Sequence, residues 1–152
     1  MKLPSLPSSP NVLETLTLLL DKNERSLLIG NSKLAMRLSA RGFKIDTEVD
    51  PFHKYKVAVF FDFLPKKHKE AVDWLQKKKE ILEQKGILCV IEKSVPLDKR
   101  SLISKISVYY GLINPPERIS QIFLAAGFKN ISQVWPQGFR SILLTTAETS
   151  EC

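Results

Sequence analysis

Glycine, cysteine and methionine are all scarce: the 152 residues hold six Gly, two Cys and two Met. No phosphate-binding P-loop and no Ser-centred nucleophile elbow is present, which removes the two commonest motif-bearing enzyme classes. Cys89 lies in an apolar run and Cys152 is the last residue. Two such cysteines make no disulfide framework, so a reducing, cytoplasmic setting is expected. Long hydrophobic runs are missing as well. The apolar stretches fall far short of a membrane span, and Lys2 is not followed by an apolar signal core, so no membrane partner is expected. His53 and His68 are not spaced with cysteines or carboxylates as metal ligands are, so no metal is expected.

What is present is an ordinary globular composition, with 43% apolar and 26% charged residues, in a length that suits one domain. The net charge of +7 permits a nucleic acid or an acidic protein as partner, but a solvated Lys-rich surface is the favoured account of it. Lys66, Lys67, Lys69, Lys77 and Lys79 crowd one predicted helix. Aromatics do not interleave with them as a base-stacking platform requires.

Residues 1–10, rich in Pro and Ser, read as a flexible arm, residues 11–147 as the domain, and residues 148–152 as a tail. A helix is expected from about Asn11 to Asp21, with Val12, Leu13, Leu16, Leu19 and Leu20 inward. Lys56–Phe63 reads as a buried strand, and a helix is expected from Lys66 to Lys85, ended by Gly86. Ile87–Ile91 is a second buried strand. Leu97–Tyr110 and Pro116–Ala126 are helical candidates, the second opened by Pro115-Pro116 and closed by Gly127. Phe128–Val134 and Phe139–Thr146 read as strands joined by the Trp135–Gly138 turn.

The chain is organised around Arg25–Pro51. The apolar run Leu27-Leu28-Ile29 ends at Gly30, Asn31 and Ser32 offer a helix cap, and Leu34, Ala35, Met36 and Leu38 give that helix an apolar side. Arg41 and Gly42 close it, and Phe43–Val49 is a strand candidate ending on Asp50. Strand, turn, helix and strand predict a parallel pair with a right-handed crossover.

This unit resembles the class I S-adenosylmethionine-dependent methyltransferases. Gly30 matches the first glycine of the family's cofactor loop, and Asp50 or Glu48 matches the acid that ends the second strand. Ala126-Gly127-Phe128 matches the family's C-terminal corner. The resemblance implies a Rossmann-like α/β fold: a mainly parallel sheet of five or six strands, helices on both faces, and an antiparallel C-terminal hairpin. It also implies S-adenosylmethionine as cofactor and methyl transfer as activity, with a non-catalytic binding or scaffold protein on the same fold as the alternative. Gly30 and Asn31 would then approach the cofactor, Glu48 or Asp50 would hold the ribose, and Asp62, Phe63 and Leu64 would lie beside the methyl donor. Asp62 would orient a substrate or accept a proton, or simply cap a helix. Two departures stand out. Gly30 runs straight into Asn31-Ser32-Lys33, and the link from Asp50 to Lys56 is too short for the helix and third strand that intervene in the family.

Overall fold

Alternation along the strands sorts the side chains into two apolar layers. Ala58 and Phe60 of one strand point into one layer with Leu88 and Val90 of its neighbour. Val57, Val59, Cys89 and Ile91 point into the other. A sheet buried on both faces needs helices on both, and the computed structural model, which describes residues 12–94, 114–136 and 142–149, supplies them.

The elements in chain order are α1 (Val12–Leu19), β1 (Arg25–Ile29), α2 (Ser32–Ala40), β2 (Lys44–Asp46) and β3 (Tyr55–Phe61). They continue as α3 (His68–Lys78), β4 (Leu82–Lys93), α4 (Pro116–Ala125), β5 (Lys129–Val134) and β6 (Ile142–Glu148). The six strands lie in the order β2-β1-β3-β4-β6-β5. The first four are mutually parallel, and β6 runs antiparallel to both β4 and β5. This is the expected mainly parallel sheet with an antiparallel C-terminal pair at one edge. Leu16 and Leu20 at and just beyond the end of α1, with Leu34, Ala35 and Leu38 of α2, cover one face. Ala71 and Leu75 of α3 and Ile119, Ile122 and Phe123 of α4 cover the other. Among the described residues no helix is long and apolar enough to cross a membrane.

Local chemistry explains the element ends. Asn31 Oδ1 accepts the Leu34 N–H at 3.0 Å and caps α2, as its position promises. The α2 exit takes Gly42 to a φ of +96°, with the Phe43 N–H returning to the Leu38 carbonyl. Met36, expected inward, is exposed, because the buried stripe of α2 runs through Leu34, Ala35 and Leu38.

The largest correction falls between Lys66 and Gly86. The expected single helix stops at Lys78, a 3-10 turn spans Lys79–Ile81, and the chain from Leu82 is already strand. Leu82 pairs with Tyr55 and Ile87 pairs with Val57, so β4 uses five steps where β3 uses two. The three surplus residues form a bulge within 83–86, where Lys85 takes a φ of +59°. Thr149 holds that bulge: its N–H donates to the Gly86 carbonyl at 2.9 Å and its hydroxyl to the Glu83 carbonyl at 3.1 Å. Strand pairing therefore continues to Glu148, into the expected tail. The expected arm at 1–10, the Leu97–Tyr110 helix and the second half of the Trp135–Gly138 turn lie outside the described residues.

β2 is also shorter than the expected Phe43–Val49. Three residues rise about 10 Å, and that brevity lets residues 47–54 return to the start of β3 without a helix. Eight extended residues reach roughly 26 Å, enough to pass beneath β1 and enter β3 on its far side.

Candidate binding crevice and the Arg25 cluster

In an open parallel sheet a ligand crevice forms beyond the carboxyl ends of the strands. Here that end carries the turn after β1 (Gly30, Asn31) and the turn after β3 (Asp62, Phe63, Leu64), so these five expected residues are brought to one end of the sheet. The turn after β3 is held by β4. The Asp62 N–H donates to the Ile91 carbonyl at 2.9 Å, with Asp62 at a φ of +59°, and the Leu64 N–H donates to Glu92 Oε1 at 2.8 Å.

Gly30 is tightly enclosed. A Cβ there would lie 2.7 Å from the Phe61 carbonyl oxygen and 2.7 Å from Cε2 of Phe63. The space that a missing side chain leaves is therefore filled by the protein. Phe63 is 44% exposed and its ring meets Phe60 edge-on at 6.1 Å, so one edge of it faces solvent and the other closes on the glycine.

Glu48 and Asp50 are not brought to this end. Glu48 is exposed in the return segment. Asp50 is carried back to the start of β1, where its carboxylate accepts from Arg25 Nη2 at 2.9 Å. Asp46, the last residue of β2, accepts from the same nitrogen at 2.5 Å. The Tyr55 hydroxyl completes the cluster: it donates to Asp46 Oδ2 at 2.5 Å and accepts the Asp50 N–H at 3.1 Å. Physical chemistry keeps these groups charged as drawn. The carboxylates of Asp46 and Asp50 hold the Arg25 guanidinium firmly protonated. Burial would raise the Asp46 carboxyl, but Arg25 and Tyr55 outweigh it and the net displacement is downward. The Phe52 N–H and then Arg25 lower Asp50. Burial, followed by Asp46, pushes the Tyr55 phenol up.

Position along the strands also explains why the cluster is polar. Arg25 and Leu27 share a face of β1, and Leu27 belongs to the layer that α3 and α4 cover. As the short link from Asp50 predicts, residues 47–54 form no crossover helix, and among the described residues an ion-paired cluster around the buried Tyr55 ring stands over this part of the sheet.

One feature escaped the sequence reading. Glu92, next to last in β4 and 2% exposed, accepts from Lys66 Nζ at 3.2 Å as well as from Leu64. Burial raises its carboxyl, against the pull of Lys66 and the Leu64 N–H. The signal was an acid directly after the apolar run Ile87–Ile91. Beyond it Ser94 donates to the carbonyl of buried Asn114 at 2.8 Å.

The lysines around α3 are in part committed to the protein itself. Lys66 pairs with Glu92, Lys78 Nζ stands 5.1 Å from the Trp74 ring, and Lys79 Nζ stands 5.3 Å from Phe128. Lys67, Lys69 and Lys77 are exposed.

No model of a known family and no curated protein matches the sequence. Solved structures do match in fold. The S-adenosylmethionine-dependent methyltransferase SibL superposes with a TM-score of 0.63 at 12% identity over 95% of this chain and 55% of its own. Human N-acetylserotonin methyltransferase, solved with S-adenosylmethionine, gives 0.60 at 13% identity over 84% and 48%. The pyocyanin biosynthetic protein PhzM gives 0.60 at 12% identity over 91% and 54%. The chain spans about half the length of these proteins. It has the class I S-adenosylmethionine-dependent methyltransferase fold.

Proposed function

We propose that this chain uses the methyltransferase fold as a binding module and does not perform methyl transfer with the cofactor in the usual pose. The observation that carries this reading is the enclosure of Gly30 by the Phe61 carbonyl and the Phe63 ring, each 2.7 Å from where a Cβ would stand. A glycine admits the close approach of a ligand on the side where a Cβ would stand only if that space is empty. Two further features support the reading. Asp50 is paired with Arg25, and the connection that would carry an adenine-contacting loop is eight residues long.

A second reading, an S-adenosylmethionine-dependent methyltransferase, is favoured by the exposed amino end of α2. The N–H groups that open a helix receive anionic groups well, and Ser32 and Lys33 there are exposed. In that reading the sulfonium donor supplies the methyl group, and the protein supplies proximity. Phe63 turns outward to uncover Gly30, and Asp62 orients the acceptor.

Calorimetry separates the two. The binding-module reading expects no saturable heat when millimolar S-adenosylmethionine is added to the wild type. Phe63→Ala, which removes one of the two groups that close on Gly30 and leaves the Phe61 carbonyl, is the informative comparison. Binding by this variant alone would identify the ring as the barrier. Micromolar binding by the wild type would overturn the reading.

A further inference from the structure

The other side of the Gly30 turn holds a cavity that the cofactor argument does not use. It measures about 300 Å³ and is lined by Val12 and Leu13 of α1, Asn31, Leu34 and Arg37 at and in α2, Phe61 at the end of β3, and Ile142 at the start of β6. Five of these seven residues are apolar. The space lies on the α1/α2 face, since Phe61 and Ile142 pack against the same layer as Leu34. Phe63 meets Phe60, in the opposite layer. The cavity and the closed glycine therefore lie on different sides of one turn.

Its polar groups are few and of one kind. Arg37 follows Leu34 by three positions and so shares its side of α2. Its guanidinium offers five N–H donors and no acceptor, and no ion pair engages it among the described residues. Asn31 gives its oxygen to the Leu34 N–H, which leaves its amide N–H groups as the part free to donate. Among the described residues no carboxylate lines the space. A mostly apolar lining with convergent donors, a permanent cation and no acid among the described residues suits a ligand with an apolar body and an anionic end.

We propose that this cavity binds a small amphipathic carboxylate, its hydrocarbon part against Leu13, Leu34, Phe61 and Ile142 and its carboxylate on Arg37, with the Asn31 amide as second donor. The inference rests on the binding-module reading and gives that module a ligand class. It differs from the cofactor in charge, since S-adenosylmethionine carries a sulfonium cation and this cavity places a cation on the wall.

Octanoate and octan-1-ol are the probes, titrated into the full chain and followed by amide chemical shifts and calorimetry. The wild type is expected to bind octanoate saturably, with shifts centred on Asn31, Arg37 and Ile142, and octanol at least tenfold more weakly. Arg37→Gln, a substitution at an exposed position, is expected to weaken octanoate roughly tenfold or more and leave octanol unchanged, because it removes one charge-assisted bond. Lys129→Gln, on the edge strand β5, controls for general charge and is expected to change little. Leu13→Trp, with a melting curve to confirm folding, fills the cavity and should abolish both ligands. Octanoate binding that ignores Arg37→Gln, that falls equally in Lys129→Gln, or that is absent from the wild type would overturn the proposal. Failure here is distinct from failure of the binding-module reading, which falls only to S-adenosylmethionine binding by the wild type.

Discussion

Tyr55→Phe isolates the polar cluster that stands where a crossover helix is absent. The ring of Tyr55 is fully buried, and the substitution keeps it, so no cavity opens. What disappears is one oxygen with two roles: a donor to Asp46 at 2.5 Å and an acceptor for the Asp50 N–H at 3.1 Å. A hydrogen bond to a charged group is worth about 1.5–3 kcal/mol and a neutral one about 1 kcal/mol. The Asp46 side chain is 21% exposed, so water recovers part of the first term. The net cost should be about 2 kcal/mol, or about 4–8 °C in Tm for a chain of this length. Urea titration at pH 7 measures it. The pH dependence is the sharper test. Asp46 titrates below its ordinary value of 3.8 in the folded state, so its contribution is present above that value and is lost as the pH falls through the folded pKa. The gap between wild type and Tyr55→Phe should therefore narrow as the pH falls from 3.8 through the lowered folded value of Asp46. A gap under about 0.5 kcal/mol at pH 7, or one that persists undiminished in acid, would refute this account of the cluster.

Three further outcomes are expected. Phe60→Ala should cost about 3–5 kcal/mol in denaturant titration, since the ring is buried between Trp74 and the sheet, and a loss below about 1 kcal/mol would deny that packing. Glu92 is raised above its ordinary value of 4.5, so the folded state holds its proton more tightly and stability contributed by this group declines as pH rises from there. Glu92→Gln should remove that decline, and identical pH profiles for the two proteins would contradict it. Cys89 is buried and burial pushes its thiol well above the usual range, so a thiol reagent should label it only at the rate of unfolding, and immediate labelling in native buffer would count against the fold.

Periodicity made the sheet legible. Val57–Phe61 and Leu88–Ile91 are apolar at every position because both faces of their strands are buried, and a continuous run of that kind can be read directly. The α2 caps were equally plain, since Asn31 and Gly42 act through their own backbone neighbourhood. The stretch from Leu82 to Gly86 was not legible. It continues a helical pattern of lysines and glutamates, and only its pairing with Tyr55 and the grip of Thr149 make it strand, both contacts distant in sequence. The site divided in the same way. Gly30, Asn31 and the Asp62–Leu64 turn follow the ends of β1 and β3, which the apolar runs mark. Asp50 lies beyond a strand that stops at Asp46, and an arginine at the start of β1 decides where it goes. The closure of Gly30 by Phe63 depends on two turns meeting across the sheet, which no local pattern records.

The return from β2 to β3 has a consequence for how the chain can be altered. Its two ends are already tied, because the last residue of β2 and the first of β3 are joined through the Asp46–Tyr55 hydrogen bond. Whatever lies between them is a loop closed by the rest of the molecule, and lengthening such a loop costs only slowly growing entropy, about 0.6 kcal/mol per doubling. Phe52 within it is 97% exposed. This connection is thus a graft site: a folded insert placed there would leave both anchors, and the sheet they bracket, in register.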